Sequence, residues 1–349
     1  MRALVKRAPE PGLDLLEVPD PVAGPGEVVV TVAAAAVCGS DVARYSWTEP
    51  YWLGRAKDMT RDLPRVLGHE FAGTVTELGP GVGEELAGRR VAVRNILGCT
   101  RCDHCRDGAE HACDSRRTIG VHVDGGYAER VAIPARNCTP LEDDVPFHLA
   151  AALQPFAVAT HAVARSVPVP GSSAAVWGLG PIGVACCLAA RVRGVEVVAA
   201  FDVNTERVEE ARSLGIPAWT AEGPGAAAAR LAEMVPARSL DVLLDCAGVP
   251  AEVLLARTVL RKRGAIVLVG NARHPIEVDL LPVTMDEQRL LGSRSYSNAS
   301  WETAVRTLAR SGYAAALGDE VGLDEALGRF ALAAQGRGRH FTVIPERTA

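Results

Sequence analysis

A six-residue turn sets the strongest limit on what this chain can fold into. The apolar run 174–177 leads directly into Gly178-Leu179-Gly180-Pro181-Ile182-Gly183, and a helical stretch continues to about 192. A GxGxxG pattern means little alone, but between a strand and a helix it is the turn of a βαβ unit. Gly178 permits the tight turn, Gly180 lets backbone come close to a pyrophosphate, and Gly183 allows close helix packing. The helix start, with Pro181 and Ile182, offers unpaired N–H groups to phosphate. About twenty residues on, at the end of the next strand, Asp202 can accept hydrogen bonds from both hydroxyls of an adenosine ribose and would repel a 2′-phosphate. These residues predict a dinucleotide site that takes NAD rather than NADP, with Arg207 in reach of the adenosine side. The competing reading is a glycine-rich turn with a helix-capping aspartate and an exposed helix arginine.

The rest of the chain divides around that turn. At 349 residues it is more than twice the ~150 of a common single domain, so two cores are expected. From 26 to about 140, short β-branched and apolar runs at 27–37, 73–78, 90–93 and 127–133 are bounded by Gly and Pro, which predicts an irregular all-β half. After about 150, apolar strands at 174–177, 196–201, 240–246 and 265–269 alternate with helical stretches. That alternation predicts a parallel, doubly wound α/β sheet. Past 291 come one strand-like piece, an alanine-rich helix at 301–308 and a closing strand at 339–344, a tail expected to return to the first half; 221–230 reads as a loop or helix lead-in.

Charge narrows the partners. Lys plus Arg is 37 against 42 Asp plus Glu, and no run of like charges suggests a nucleic-acid face or a basic membrane anchor. No stretch reaches the ~18 apolar residues of a spanning helix, and the first residues lack the apolar core of a signal peptide. The expectation is a soluble, cytoplasmic protein acting on a small molecule, with no nucleic-acid or membrane partner.

Four of the nine cysteines fall together, as Cys99-Thr-Arg-Cys102-Asp-His-Cys105 and then Cys113. Four thiolates on so short a loop can close a tetrahedron around zinc, and such a site has no open position for substrate, so its role is structural. The ferredoxin spacing differs, and disulfides are disfavoured in a cytosolic chain. Cys138, Cys186, Cys187 and Cys246 sit in apolar runs and are expected to be buried small hydrophobes. A second group is scattered: Cys38-Gly39-Ser40-Asp41 follows one strand and Gly68-His69-Glu70 follows another apolar stretch. A thiolate, an imidazole and a carboxylate can converge there, although each piece alone is bland.

With these motifs in order, the chain resembles the zinc-dependent medium-chain dehydrogenase/reductase family nearly end to end. The CGSD and GHE pieces, the four-cysteine lobe, GGYAERVAIP, GLGPIG, DCAGVP and VLVGN all fall in family order. The resemblance implies a GroES-like catalytic domain from both chain ends, 1–150 and 292–349, with a zinc lobe at 95–115. A Rossmann NAD-binding domain, 151–291, would be inserted between them, in a homodimer or homotetramer. It also implies a catalytic zinc on Cys38 and His69, with Glu70 an intermittent ligand or a group supporting the ligands from behind, so two zinc ions per chain. Gln154 departs from the pattern, since polyol dehydrogenases carry Glu there. Zinc is expected to be retained, because sugar-oxidising branches use Gln and because Glu70 can restore the missing charge. Ala43 is a second departure, standing where many relatives have a relay His.

The mechanism implied is oxidation of an alcohol held in the cleft between the domains. Ser40 takes the first proton step, handing on to water or to the ribose of the cofactor, and a hydride passes to the nicotinamide. Asp41 would hold His69 from behind, a solvated loop aspartate being the competing reading. Thr160 matches the position packing near the nicotinamide, and Val269, Gly270, Ser293 and Arg294 match segments lining its ring and carboxamide. For substrate, Tyr45-Ser46-Trp47 is similar to threonine dehydrogenases, whereas 153–163 is similar to polyol dehydrogenases, as is the pair Arg294 and Tyr296. A long segment, 47–63, brings aromatic and charged groups to the expected mouth of the site. A secondary alcohol in a polyol, cyclitol or sugar derivative is the leading expectation. A β-hydroxy amino acid such as threonine comes next, and a metal-free reductase or a non-catalytic NAD-binding member is the alternative of a different class.

Overall fold

In the computed structural model, which describes residues 1–47, 63–272, 274–338 and 340–346, the chain forms two units. One comprises Met1–Gln154 with Leu317–Ala349, the other Pro155–Ala316.

The first unit is built on the strand Glu27–Ala36, whose valines and alanines leave almost no polar face and which is buried along nearly its whole length. A strand of that composition needs neighbours on both edges. Glu70–Leu78 runs antiparallel along one edge, while Arg130–Pro134 and Phe341–Val343 share the other. Arg90–Val93 and Cys138–Pro140 extend the sheet on one side and Asp319–Val321 on the other, so the C-terminal segment does return to this unit. A smaller sheet joins Asp14–Glu17, Arg2–Lys6 and Arg65–Val66. Val28, Val30, Val32, Leu67, Phe71, Tyr127, Ile133 and Phe341 form the core. Into it the helix Leu323–Ala334 inserts Phe330, 5.7 Å from the Tyr45 ring, 5.7 Å from Tyr127 and 5.3 Å from Phe341.

The second unit holds six parallel strands: Ser173–Trp177, Glu196–Asp202, Ala218–Thr220, Leu240–Asp245, Leu260–Leu268 and Arg289–Gly292. Numbered one to six in chain order, they lie side by side as 3-2-1-4-5-6. This is the Rossmann order, in which the chain reverses its direction of growth beside the first strand and leaves a crevice at the strands' carboxyl ends. Trp177, Phe201 and Trp219 stand in register on the first three strands, with ring centroids 5.2 and 6.1 Å apart.

The expected boundaries shift. The second unit extends to Ala316 rather than ending at 291, and the first runs to Gln154 rather than 150. Contacts inside the second unit explain the longer reach: Tyr296 stacks on Trp301 at 5.1 Å, His161 Nδ1 lies 3.1 Å from Ser300 Oγ, and the Tyr313 hydroxyl donates to the Pro181 carbonyl at 3.3 Å. The helix expected at 301–308 is Asn298–Thr307, capped by the Ser297 side chain, and the stretch 221–230 leads into a helix at Ala226–Met234. Residues 48–62, the body of the long segment, and Arg339 of the closing strand lie outside the described residues. Among the described residues no helix is long and apolar enough to cross a membrane.

Candidate metal centre and cofactor site

Register assembles the centre. Ala36 pairs with Glu70 in the antiparallel ladder, so Cys38, just past the end of one strand, and His69, just before the other, arrive at the same end of the pair. Cys38 is the N-cap of the helix Gly39–Ser46. The turn into the second strand requires glycine: Gly68 has φ +97°, and a Cβ there would lie 2.7 Å from the Tyr127 backbone nitrogen. The ligand atoms of Cys38, His69 and Glu70 all lie within 4.8 Å of one another. His69 and Glu70 are buried and Cys38 is partly exposed.

Asp41 organises this group from behind. It is fully buried and accepts from the Tyr127 hydroxyl (2.8 Å), the Cys38 backbone N–H (3.3 Å) and Arg44 Nη1 (3.4 Å). Its Oδ1 also lies 3.2 Å from His69 Nδ1, and the network assigns the proton to that nitrogen. Nε2, 3.5 Å from Glu70 Oε1 and hydrogen-bonded with Cys38, is then the ring atom turned toward the other two candidate ligands. Burial works against the charge on Asp41, but His69, Arg44 and Tyr127 hold its carboxyl below the usual range. Burial pushes the Cys38 thiol up, yet the hydrogen bond and charge of His69 bring it down to about 7. Burial pushes the Glu70 carboxyl well up, and the Cys38 charge adds to the shift. Thiolate and carboxylate therefore oppose each other in a dry site, and a divalent cation between them reverses that logic. A thiolate, an imidazole and a carboxylate converging this closely fit zinc. Gln154, the expected further donor, is buried in the first turn of the helix Leu153–Arg165.

The four-cysteine lobe is a different construction. Cys99, Cys102, Cys105 and Cys113 also have their sulfurs within 4.8 Å of one another, on a loop holding only the short helix Asp103–Arg106 and a single 3-10 turn. Three of the four are partly exposed. A Cβ on Gly98 would lie 2.9 Å from Cys105 Sγ, so glycine makes room for the thiol. Backbone N–H groups of Arg101 and Cys102 draw the Cys99 thiol down to about 6, while burial and the neighbouring thiols push Cys105 up to about 12. Four sulfur donors this close satisfy a tetrahedral zinc ion with no position left over.

The glycine turn of the second unit behaves as its sequence predicts. Gly178 has φ +90°, and a Cβ on Gly183 would lie 1.7 Å from the Gly178 carbonyl oxygen, so both are bound to glycine by geometry. A Cβ on Gly180 would meet nothing within 4 Å, leaving the open approach that a pyrophosphate needs. Gly180 caps the helix Pro181–Val192, with Pro181 at its first position and Ile182 and Gly183 following. A cavity of about 740 Å³ opens beside the turn, lined by Gly178, Gly180, Asp202, Arg207, Gly248 and His274 among others. Asp202 is buried and already accepts from Leu179 N (2.7 Å) and Asn204 N (2.8 Å), so each oxygen retains a lone pair for a ribose hydroxyl. Arg207 Nη1 lies 3.8 Å from it. After the fourth strand, Asp245 Oδ1 accepts from Ala247, Gly248 and Val249 and shapes the cavity's opposite wall.

Val269 and Gly270 both donate backbone N–H to the Asp245 carbonyl at 2.8 Å, and Ser293 N donates to Leu268 O at 2.8 Å. Thr160 Oγ1 and Ser293 Oγ are buried without a partner among the described residues, and Arg294 is exposed. Tyr296 is almost fully buried against Trp301. The aromatic rings expected at substrate are engaged by the fold: Tyr45 stacks on Phe330, and Lys6 Nζ sits 5.1 Å from the Trp47 ring centroid. Two residues of the centre escaped the sequence reading. Tyr127 reaches Asp41 from a distant segment, with no local signal. Arg44 donates to Ser40 Oγ at 2.9 Å, and its i, i+4 spacing would have exposed it had 39–46 been read as a helix.

Fold and site together define a dehydrogenase with a Rossmann cofactor unit and two zinc-type donor sets. The family model for the alcohol dehydrogenase GroES-like domain matches residues 24–143, and that for zinc-binding dehydrogenase matches 181–310. The chain belongs to the zinc-dependent medium-chain alcohol dehydrogenase family of oxidoreductases. It is 33% identical to an L-threonine 3-dehydrogenase of Saccharopolyspora erythraea over 89% of both chains, and 33% identical to that of Symbiobacterium thermophilum over 90% of this chain and 88% of the relative. Among solved structures, an alcohol dehydrogenase of Escherichia coli CFT073 complexed with NADH matches at TM-score 0.86 and 26% identity over 99% of each chain. The galactitol-1-phosphate dehydrogenase of Escherichia coli matches at TM-score 0.85 and 25% identity, over 99% of this chain and 100% of that one.

Proposed function

We propose that this chain oxidises a secondary alcohol to a ketone with NAD as acceptor, on a polyol, cyclitol or sugar derivative. The observation that carries the reading is the convergence of Cys38, His69 and Glu70 ligand atoms within 4.8 Å, with Asp41 behind His69. When bound, zinc supplies the positive charge that favours a deprotonated alcohol, and NAD supplies the hydride acceptor. Cys38, His69 and Glu70 hold the metal, with Gln154 a further neutral donor. Ser40 Oγ would receive the alcohol proton as it passes its own hydroxyl proton to water or to the cofactor ribose: Arg44 donates to one of its lone pairs and leaves the other free. Asp41 fixes the His69 ring so that Nε2 keeps its lone pair. Gly178, Gly180 and the start of the helix Pro181–Val192 take the pyrophosphate, and Asp202 takes the ribose. The lone hydroxyls of Thr160 and Ser293 suit the polar rim of the nicotinamide.

A β-hydroxy amino acid is the second reading, favoured by the 33% identical threonine dehydrogenases. Exposed Leu280, Leu281, Met285 and Leu290 lie close in sequence to, or on, the open edge strand Arg289–Gly292, which supports a homodimer or homotetramer. We place the protein in the cytoplasm, where thiolate metal sites persist. The test is absorbance at 340 nm on mixing enzyme with polyols, cyclitols, aldoses and threonine, with NADP in parallel. Turnover of one class with NAD supports the reading. Turnover with NADP alone would remove the role given to Asp202, and full activity of Ser40→Ala would remove that of Ser40.

A further inference from the structure

We propose that Arg44 recognises an oxyanion carried by the substrate, so that the alcohol oxidised here is a carboxylate or a phosphate ester rather than a neutral polyol. The inference rests on the proposed alcohol oxidation and narrows its substrate.

Ser40, Asp41 and Arg44 share one face of the helix Gly39–Ser46 because residues three and four apart are neighbours on a helix. Arg44 is 7% exposed, an unusual burial for a guanidinium beside a reacting group. A guanidinium carries five N–H donors. The described residues use only Nη1, which donates to Ser40 Oγ at 2.9 Å and approaches Asp41 Oδ1 at 3.4 Å. Nε is buried without an acceptor. Asp41 offsets the charge of Arg44 but meets only Nη1, and at 3.4 Å, because the same carboxylate also accepts from His69, Tyr127 and the Cys38 backbone N–H. Leaving a buried guanidinium N–H unmet is costly even beside a paired carboxylate, so the fold alone does not account for Arg44.

Nε is unmet and Nη2 makes no hydrogen bond among the described residues, and these two form the fork that binds a carboxylate or phosphate through two parallel hydrogen bonds. An anion held there sits one short carbon chain from the hydroxyl that Ser40 serves. Both anion chemistries use the same fork, and the pairs below tell them apart.

The experiment uses the zinc-loaded enzyme and two matched pairs, 3-hydroxybutyrate against 2-butanol and galactitol 1-phosphate against galactitol. Each is measured as kcat/KM with NAD and as binding to the NADH complex by calorimetry. In the native enzyme at least one charged member should exceed its neutral partner by about tenfold or more, the scale of one charge-assisted contact. Arg44→Met should erase that preference mainly through KM and through affinity. Arg44→Lys, which keeps charge without the fork, should keep part of it and decides the matter if the methionine variant does not fold. Equal binding of charged and neutral members overturns the proposal. So does an Arg44→Met loss that falls equally on neutral members, which marks a clamp on Ser40, or one that falls on NADH affinity, which assigns the fork to the cofactor. Oxidation of neutral alcohols alone leaves the dehydrogenase reading standing and removes this one. Arg44-dependent binding of a charged member without oxidation does the reverse.

Discussion

The two zinc-type sites are both built on cysteine, yet they are made in opposite ways. In the lobe, all four donors come from residues 99–113, and most are partly exposed. In the centre, Cys38 and the pair His69 and Glu70 come from two strand ends, are mostly buried, and depend on Asp41 and Tyr127 for orientation. A local site can close with little help from the surrounding fold. A distributed one inherits every error in register and packing, and gains in exchange a buried, oriented position at which chemistry can be done.

The sharpest way to break the comparison is to remove one thiol from each site. Cys38→Ser should lower turnover by about a thousandfold or more, the scale of losing a catalytic metal, and zinc should fall from two to one per chain. Its melting temperature should change little. Cys102→Ser should also leave one zinc, but with melting lowered by roughly 5–10 °C, as a loss of about 2–3 kcal/mol would give in units of this size. If the native protein binds one zinc and the lobe holds it, Gln154 has cost the centre its metal and the comparison fails.

Orientation should matter only at the centre. Asp41→Asn should weaken zinc affinity there by about 10–100-fold, the usual effect of removing the group behind a ligating histidine, and Tyr127→Phe by less. Competition with a chromophoric chelator reads both, and the lobe metal should not respond. The smallest effect is a reactivity profile. In metal-stripped protein, alkylation of Cys38 should rise through pH about 7, because the thiolate is the reacting form and His69 holds its pKa there. Cys138, pushed by burial to about 12, should stay unlabelled over the same range. Equal labelling of the two would remove the electrostatic role of His69.

Much of this was legible in the residues. The glycine turn with Asp202 announced its unit because each glycine answers a local demand: a positive φ at Gly178, a close packing contact at Gly183, open space at Gly180. The lobe was legible for the same reason, since its donors are neighbours in the chain. Boundaries were less so. The fifth strand begins at Leu260 rather than 265, and the segment around Tyr127 is not the start of the strand Arg130–Pro134. Instead, Gly126 and Tyr127 donate to Gly68 and Leu67. These details depend on which distant segment offers a partner, which propensity does not encode.

The sequence by itself determined the Rossmann turn, the four-cysteine lobe and the donor types Cys38, His69 and Glu70, because local backbone geometry and ligand chemistry need particular residues at short spacing. Only the tertiary structure decided that Ala36 faces Glu70, that Tyr127 reaches Asp41, and that Arg44 lies buried against Ser40. Register and burial arise from contacts between segments far apart in the chain, and the energy that selects them is shared across the whole core.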